Sequence, residues 1–122
     1  MALHSSGEMY LETIRILEGK LGVVRALDIS REMGFSKPSV SRALKLLKLD
    51  GYVKIDDDGH IALTSSGREI AEKIYERHTI LTGMLMALGV DESTAQDDAC
   101  KIEHVISDET FEAIKKHMRE KG

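Results

Sequence analysis

Cys100, Glu103 and His104, in the segment ACKIEHVISDET at 99–110, stand at i, i+3 and i+4. That spacing puts a thiol, a carboxylate and an imidazole on one face of a helix. Donors of these types suit a borderline divalent transition metal better than Mg²⁺ or Ca²⁺. Met9 and Glu12 upstream and His78 in mid-chain would extend the set with a thioether, a second carboxylate and a second imidazole. The bland reading stands beside this one. A lone cysteine is commonly a buried filler, and a glutamate and a histidine commonly decorate a helix surface. The metal reading requires the helices carrying Met9 and Glu12, His78, and Cys100 to meet, and spacing does not show that meeting.

A second set of residues is basic. Residues 20–54 hold eight Lys and Arg against three acids, a local charge of +5, while the remainder of the chain carries −9 and the whole −4. Basic segments suit phosphate and acidic ones suit cations, although solvated faces of either sign occur without partners. Within the basic segment, FSKPSVSRALKLLKLDG reads as a helix over about 37–49. Ser36 is its expected N-cap, Pro38 suits the first turn, and Gly51 ends the segment. The N-terminal residues of that helix, Ser36, Lys37, Pro38, Ser39, Ser41, Arg42 and Lys45, form the candidate nucleic-acid surface. Hydroxyls and backbone amides at a helix start bind phosphate, and Arg42 can reach a guanine edge.

These side chains need a scaffold. Apolar spacing predicts helices over 7–19, with Gly19 and Gly22 marking the stop, and over 25–33, ended by Gly34, before the helix at 37–49. YVKI and HIALT flank DDDG and predict a β-hairpin. A long helix then runs from Thr64 or Ser65 as cap to Gly89, followed by a helix over 92–105 and a last one from a cap at Ser107 or Asp108. The expected fold is mainly α: a winged helix-turn-helix DNA-binding domain over 1–70, then an α-helical metal-binding and dimerisation domain over 71–122. Val40, Ala43, Leu44, Leu46 and Leu47 are expected to face the core. Ile80, Leu81, Met84, Leu85 and Leu88 make a long apolar surface expected to form the contact with a second copy, the alternative being an internal core. The acidic hairpin tip, Asp56-Asp57-Asp58, repels phosphate, so only Lys54 and His60 at its base are expected near DNA.

Composition narrows the class. At 122 residues, with 42% hydrophobic and 31% charged residues, the chain fits one compact domain or two small ones. It has no apolar run near 18 residues and no secretory pattern, so a soluble cytoplasmic protein without a membrane partner is expected. One cysteine makes no internal disulfide. No Gly-rich phosphate loop or nucleophile motif is present, so the chain is not expected to be an enzyme.

EMYLETI at 8–14, SKPSVSRALKLLKLDGYV at 36–53, LTSSGREIA at 63–71, ERHTIL at 76–81 and ACKIEHVISDE at 99–109 carry a resemblance. Together they resemble the diphtheria-toxin-repressor family of metal-dependent transcriptional repressors over nearly the whole chain, the last stretch being the most specific. The resemblance implies a homodimer that binds double-stranded operator DNA when a divalent metal is present. By position it implies a primary site of Met9, Cys100, Glu103 and His104. His78 matches a histidine of a second site, and Glu12 a carboxylate of the manganese-sensing branch. Thr82 and Gln96 depart from the ancillary ligands of the iron-sensing branch. Arg42 stands where the best-known member has glutamine, so no operator sequence follows. In length the chain resembles the short two-domain manganese sensors, and in its primary ligands the iron sensors. The sulfur donors point to Fe²⁺ as the activating metal, with Mn²⁺ as the alternative. A winged-helix regulator that senses a small molecule or an oxidant through Cys100 is the competing class.

Overall fold

The computed structural model describes residues 5–121, in which six helices and one hairpin follow in the expected order. They are α1 (Ser5–Leu21), α2 (Ala26–Met33), α3 (Lys37–Leu49), β1 (Val53–Ile55), β2 (Ile61–Leu63), α4 (Ser65–Ala87), α5 (Glu92–Ile102) and α6 (Asp108–Lys121). The chain divides between Glu72 and Lys73 into two compact units, so α4 contributes to both. Residues 1–4 of the expected first domain and Gly122 of the second lie outside the described residues.

The first unit is a three-helix cluster closed by the hairpin. Leu11, Ile14 and Leu17 of α1, Ile29 of α2, and Val40, Leu44 and Leu47 of α3 share one core with Val53, Ile61 and Leu63. On α3 the buried positions fall at i, i+4 and i+7, a single stripe of a 3.6-residue helix. Leu46 was expected in this core, but it lies off that stripe and is 63% exposed. Gly34 ends α2 at φ 72°, a left-handed conformation that lets the chain reverse into α3 and that a side chain adopts only with strain.

β1 and β2 pair antiparallel, Val53 with Leu63 and Ile55 with Ile61. Val24, between α1 and α2, adds an isolated bridge to Ile61, whose N–H donates to the Val24 carbonyl at 2.8 Å. The hairpin is followed at once by α4. Thr64 caps α4 by accepting from the Gly67 N–H at 3.1 Å, and its hydroxyl donates to the Gly51 carbonyl at 2.6 Å. Gly67 is buried against the Tyr52 carbonyl so closely that any Cβ there would collide with it. Two ion pairs, Arg68 with Glu18 at 3.0 Å and Arg15 with Glu72, tie the start of α4 to α1.

The second unit buries Ile74, Leu81, Ala95, Ala99 and Phe111, together with the charged residues Arg77 and Glu103. Asp91 caps α5 by accepting from the Thr94 N–H at 3.2 Å, and Ser107 accepts from Thr110 at 3.1 Å at the head of α6. Leu81, expected on the outer apolar surface, has no exposure and belongs to this core; Leu88 is 74% exposed. α5 stops at Ile102, three residues short of the expected 105. The N–H groups of Val105 and Ile106 both return to the Ile102 carbonyl at 3.0 Å, which tightens the chain into a turn. Cys100 is therefore helical, Glu103 is the C-cap, and His104 lies in the turn.

Candidate functional site

The α5–α6 turn gathers the titratable side chains of the second unit. Glu103 has no solvent exposure, and its two carboxylate oxygens face different imidazoles. Oε2 lies 2.9 Å from His78 Nδ1 on α4, and Oε1 lies 3.3 Å from His104 Nε2. The His104 side chain is 4% exposed and that of His78 is 27% exposed. Burying a carboxylate costs several kcal/mol unless a positive charge or donors compensate it. The His78 imidazole meets one of the oxygens within hydrogen-bond distance, and a metal cation held there would also compensate the charge. Cys100 stands three residues before Glu103, half-buried on the last turn of α5. A carboxylate between two imidazoles offers donors of the kind that suit a divalent first-row transition metal, and Cys100 joins them only by its position on α5.

Arg77, the α4 residue before His78, was not singled out in the sequence, yet it shapes this turn. It is 6% exposed. Its Nη1 donates to the carbonyls of Glu103 at 3.1 Å and Ile106 at 2.8 Å, and its Nη2 donates to the Asp108 carboxylate. The guanidinium also lies over the Phe111 ring, 5.3 Å from the centroid. Asp108 accepts an ion pair from Lys73 at 3.1 Å. The hydrogen bond and charge of Lys73, followed by the charge of Arg77, hold the Asp108 carboxyl below its ordinary value. The signal for Arg77 was the basic residue beside a candidate ligand in ERHTIL; nothing in the spacing said which backbone it would grip.

In the first unit, Met9 and Glu12 are one helical turn apart on α1. Met9 is half-buried, and Glu12 is 7% exposed. Burial of a carboxylate on a helix whose other buried residues are apolar marks Glu12 as more than surface decoration.

The candidate nucleic-acid residues sit at the head of α3. Ser36 is the N-cap, its hydroxyl accepting from the Ser39 N–H at 3.3 Å and donating to the Ser39 hydroxyl at 2.9 Å. Such a cap is worth about 1 kcal/mol. Arg42 reaches back to the Ser39 hydroxyl at 3.4 Å. Ser36, Lys37, Pro38, Ser41, Arg42 and Lys45 are exposed and Ser39 is partly so, all away from the stripe that enters the core. At the wing, Asp56 Oδ1 accepts from the N–H groups of Asp58 and His60, both at 2.9 Å. These bonds, led by His60, hold the Asp56 carboxyl low, so Asp56 is occupied with shaping the turn. His60 also contacts Arg25 Nη2 at 2.8 Å, which links the wing base to the start of α2.

Comparison with known proteins covers both units. The family model for the iron-dependent repressor N-terminal DNA-binding domain matches residues 2–61. The model for the iron-dependent repressor metal-binding and dimerisation domain matches residues 64–120. The transcriptional regulator MntR of Escherichia coli is 33% identical over 113 residues, which are 93% of this chain and 73% of that protein. An uncharacterized HTH-type transcriptional regulator of Methanocaldococcus jannaschii is 34% identical over 118 residues, 95% of this chain and 94% of the relative. Among solved structures, the manganese regulator SloR superposes with a TM-score of 0.83 at 28% identity, covering 98% of this chain and 55% of that one. A manganese-dependent transcriptional repressor in complex with manganese gives a TM-score of 0.84 at 26% identity, over 91% of this chain and 51% of that one. The chain thus spans about half the length of these two structures.

Proposed function

We propose that this chain, which belongs to the iron-dependent repressor family, represses transcription by binding operator DNA as a homodimer when a divalent metal is present. The observation that carries the metal reading is Glu103, a carboxylate without solvent exposure set between His78 and His104. Its ligands are proposed as Cys100, Glu103 and His104, with His78 beside them. The family resemblance adds Met9 and Glu12 from α1. A bound metal supplies a shared positive centre among its ligands. A dimer reads two half-sites only when its recognition helices match the groove spacing. The ligands therefore act through a population shift, favouring the arrangement that binds the metal better.

On the DNA side, the head of α3 enters the major groove. Ser36, Pro38 and Ser39 shape the helix start against phosphate, while Lys37, Ser41, Arg42 and Lys45 make backbone and base contacts. Leu88, Met84 and Leu85 on the last turns of α4 supply the apolar part of the dimer contact. No helix among the described residues is long and apolar enough to cross a membrane.

Fe²⁺ is the proposed activator, because a thiolate and a thioether favour it over Mn²⁺. A second reading, Mn²⁺, is favoured by the oxygen and nitrogen donors that meet at Glu103 and by manganese in the names of the relatives. The deciding experiment selects a duplex from random sequence with metal-loaded protein. Metal-free protein is then titrated with Fe²⁺ and with Mn²⁺ on that duplex under anaerobic conditions. Tight binding to the duplex without any metal would end the metal-dependent reading.

A further inference from the structure

We infer that Arg77 is a positioning residue for the metal site, gripping the backbone of the α5–α6 turn so that Glu103 and His104 are presented in a fixed geometry. The inference rests on the metal reading above. Its basis is that consecutive residues of α4 hold Glu103 at both ends. Arg77 takes the carbonyl at 3.1 Å, and His78 meets the carboxylate at 2.9 Å. The donor carboxylate is thereby anchored through its own main chain, independently of any metal.

The turn needs such an anchor. The last carbonyls of a helix lack intrahelical partners and carry the negative end of its dipole, so a cation is favoured there. Arg77 supplies one guanidinium to the carbonyls of Glu103 and Ile106, which bracket His104. It then reaches the first residue of α6 through Asp108 and stacks on Phe111 one turn further along α6. With 6% exposure, this side chain has little freedom to make and break these bonds. A planar fork is required, because Nη1 and Nη2 serve separate acceptors; a lysine ammonium retains the charge but not the fork.

The test is Co²⁺ titration of the metal-free protein, followed by visible d–d absorption and calorimetry. It compares wild type with Arg77→Lys, Asp108→Asn and Lys73→Met, with thermal unfolding of each metal-free form alongside. Residues that orient ligands from outside the coordination sphere typically change metal affinity by about 10–100-fold. Arg77→Lys is expected to weaken Co²⁺ by about tenfold or more and to shift its absorption bands, a change that lower stability alone does not produce. Asp108→Asn removes only an exposed anchor of the guanidinium and is expected to weaken Co²⁺ to a smaller degree. It decides the matter should Arg77→Lys fail to fold. Lys73→Met removes the other partner of Asp108 and is expected to leave affinity unchanged. Wild-type affinity and spectra in the folded Arg77 and Asp108 variants would overturn the inference alone, as would an equal loss in Lys73→Met. A wild type that takes up neither Co²⁺, Mn²⁺ nor Fe²⁺ would overturn the metal reading and this inference with it.

Discussion

His78 Nδ1 lies 2.9 Å from Oε2 of Glu103, a carboxylate with no exposure to solvent. The pair joins mid-α4 to the C-cap of α5. A buried carboxylate needs a donor or a positive charge facing it, and either an imidazole N–H or a metal cation meets that need.

That exchange predicts a proton count. Metal ligation requires neutral imidazole and, at Cys100, thiolate, so uptake must release protons and weaken as pH falls. Calorimetry in buffers of different ionisation enthalpy is expected to show release of at least one proton near neutral pH. A buffer-independent enthalpy would remove Cys100 from the ligand set, whereas an imidazole already neutral at that pH releases nothing on binding.

The DNA face makes a separate prediction. Lys37 and Arg42 are exposed at the head of α3 and take no part in its core stripe. Replacing both with Ala is expected to weaken duplex binding and to reduce the slope of log K against log salt by roughly 1 per lost phosphate contact. Metal affinity in the same protein, measured without DNA, should stay within about twofold, because neither residue is among the proposed ligands. Unchanged DNA binding would place the interface elsewhere.

Gly67 offers a test of how closely the chain before the wing packs against the start of α4. A methyl group at this position meets the Tyr52 carbonyl, which is main chain and cannot rotate aside. Gly67→Ala is therefore expected to destabilise the first unit by about 1–3 kcal/mol, the usual cost of overpacking, against the slight gain that Ala brings at an open helical site. Thermal unfolding of the metal-free protein measures it. A rise in the midpoint would show that the wing yields at no cost.

The order of elements was readable because several boundaries have a local cause. Ser36 and Pro38 announce α3, DDDG announces the hairpin, and Thr64 and Ser107 head α4 and α6. What escaped local reading depends on contacts distant in sequence. The Val24 bridge to Ile61 spans 37 positions, and a single residue outside a strand leaves no periodic trace. Leu46 and Leu81 were misassigned because apolar identity does not fix which face a residue occupies when several neighbours are also apolar. At the site, the i, i+3, i+4 spacing of Cys100, Glu103 and His104 was visible. The end of α5 at Ile102 and the Arg77 clamp were not, since both follow from which carbonyls find donors across the unit.

Asp108 ties stability to acidity. Lys73 and Arg77 lower its folded-state pKa below the unfolded value, so its contribution is fully present above the unfolded value, near 3.9. It is lost as pH falls through the lower folded value. Asp108→Asn is accordingly expected to be less stable than wild type at neutral pH, with the difference shrinking below about pH 4. Denaturant unfolding between pH 3 and 7 reads this, in metal-free protein. A difference that stays constant across the range would mean that the loss comes from packing rather than charge.

The choice of metal is the sharpest test of the site. Cys100 and the proposed ligand Met9 offer sulfur, which Fe²⁺ accepts more readily than Mn²⁺, and Fe²⁺ stands above Mn²⁺ in the general affinity order. Glu12, Glu103, His78 and His104 pull toward a harder ion, and two solved relatives are manganese regulators by name. If sulfur decides, wild type responds at lower Fe²⁺ than Mn²⁺, and Met9→Asp, by exchanging a thioether for a carboxylate, raises the response to Mn²⁺ relative to Fe²⁺. Co²⁺ and Ni²⁺ activate both proteins, because both rank above Fe²⁺ and affinity alone does not reject them. Midpoints of DNA binding for Fe²⁺ and Mn²⁺, taken anaerobically in both proteins, give the answer as a ratio of ratios. Met9→Asp is expected to move that double ratio toward Mn²⁺ by about tenfold, equivalent to about 1.4 kcal/mol of differential binding. Equal activation of wild type by the two metals, unmoved by the substitution, would mean that the buried carboxylate and imidazoles set the preference and that sulfur merely fills the site.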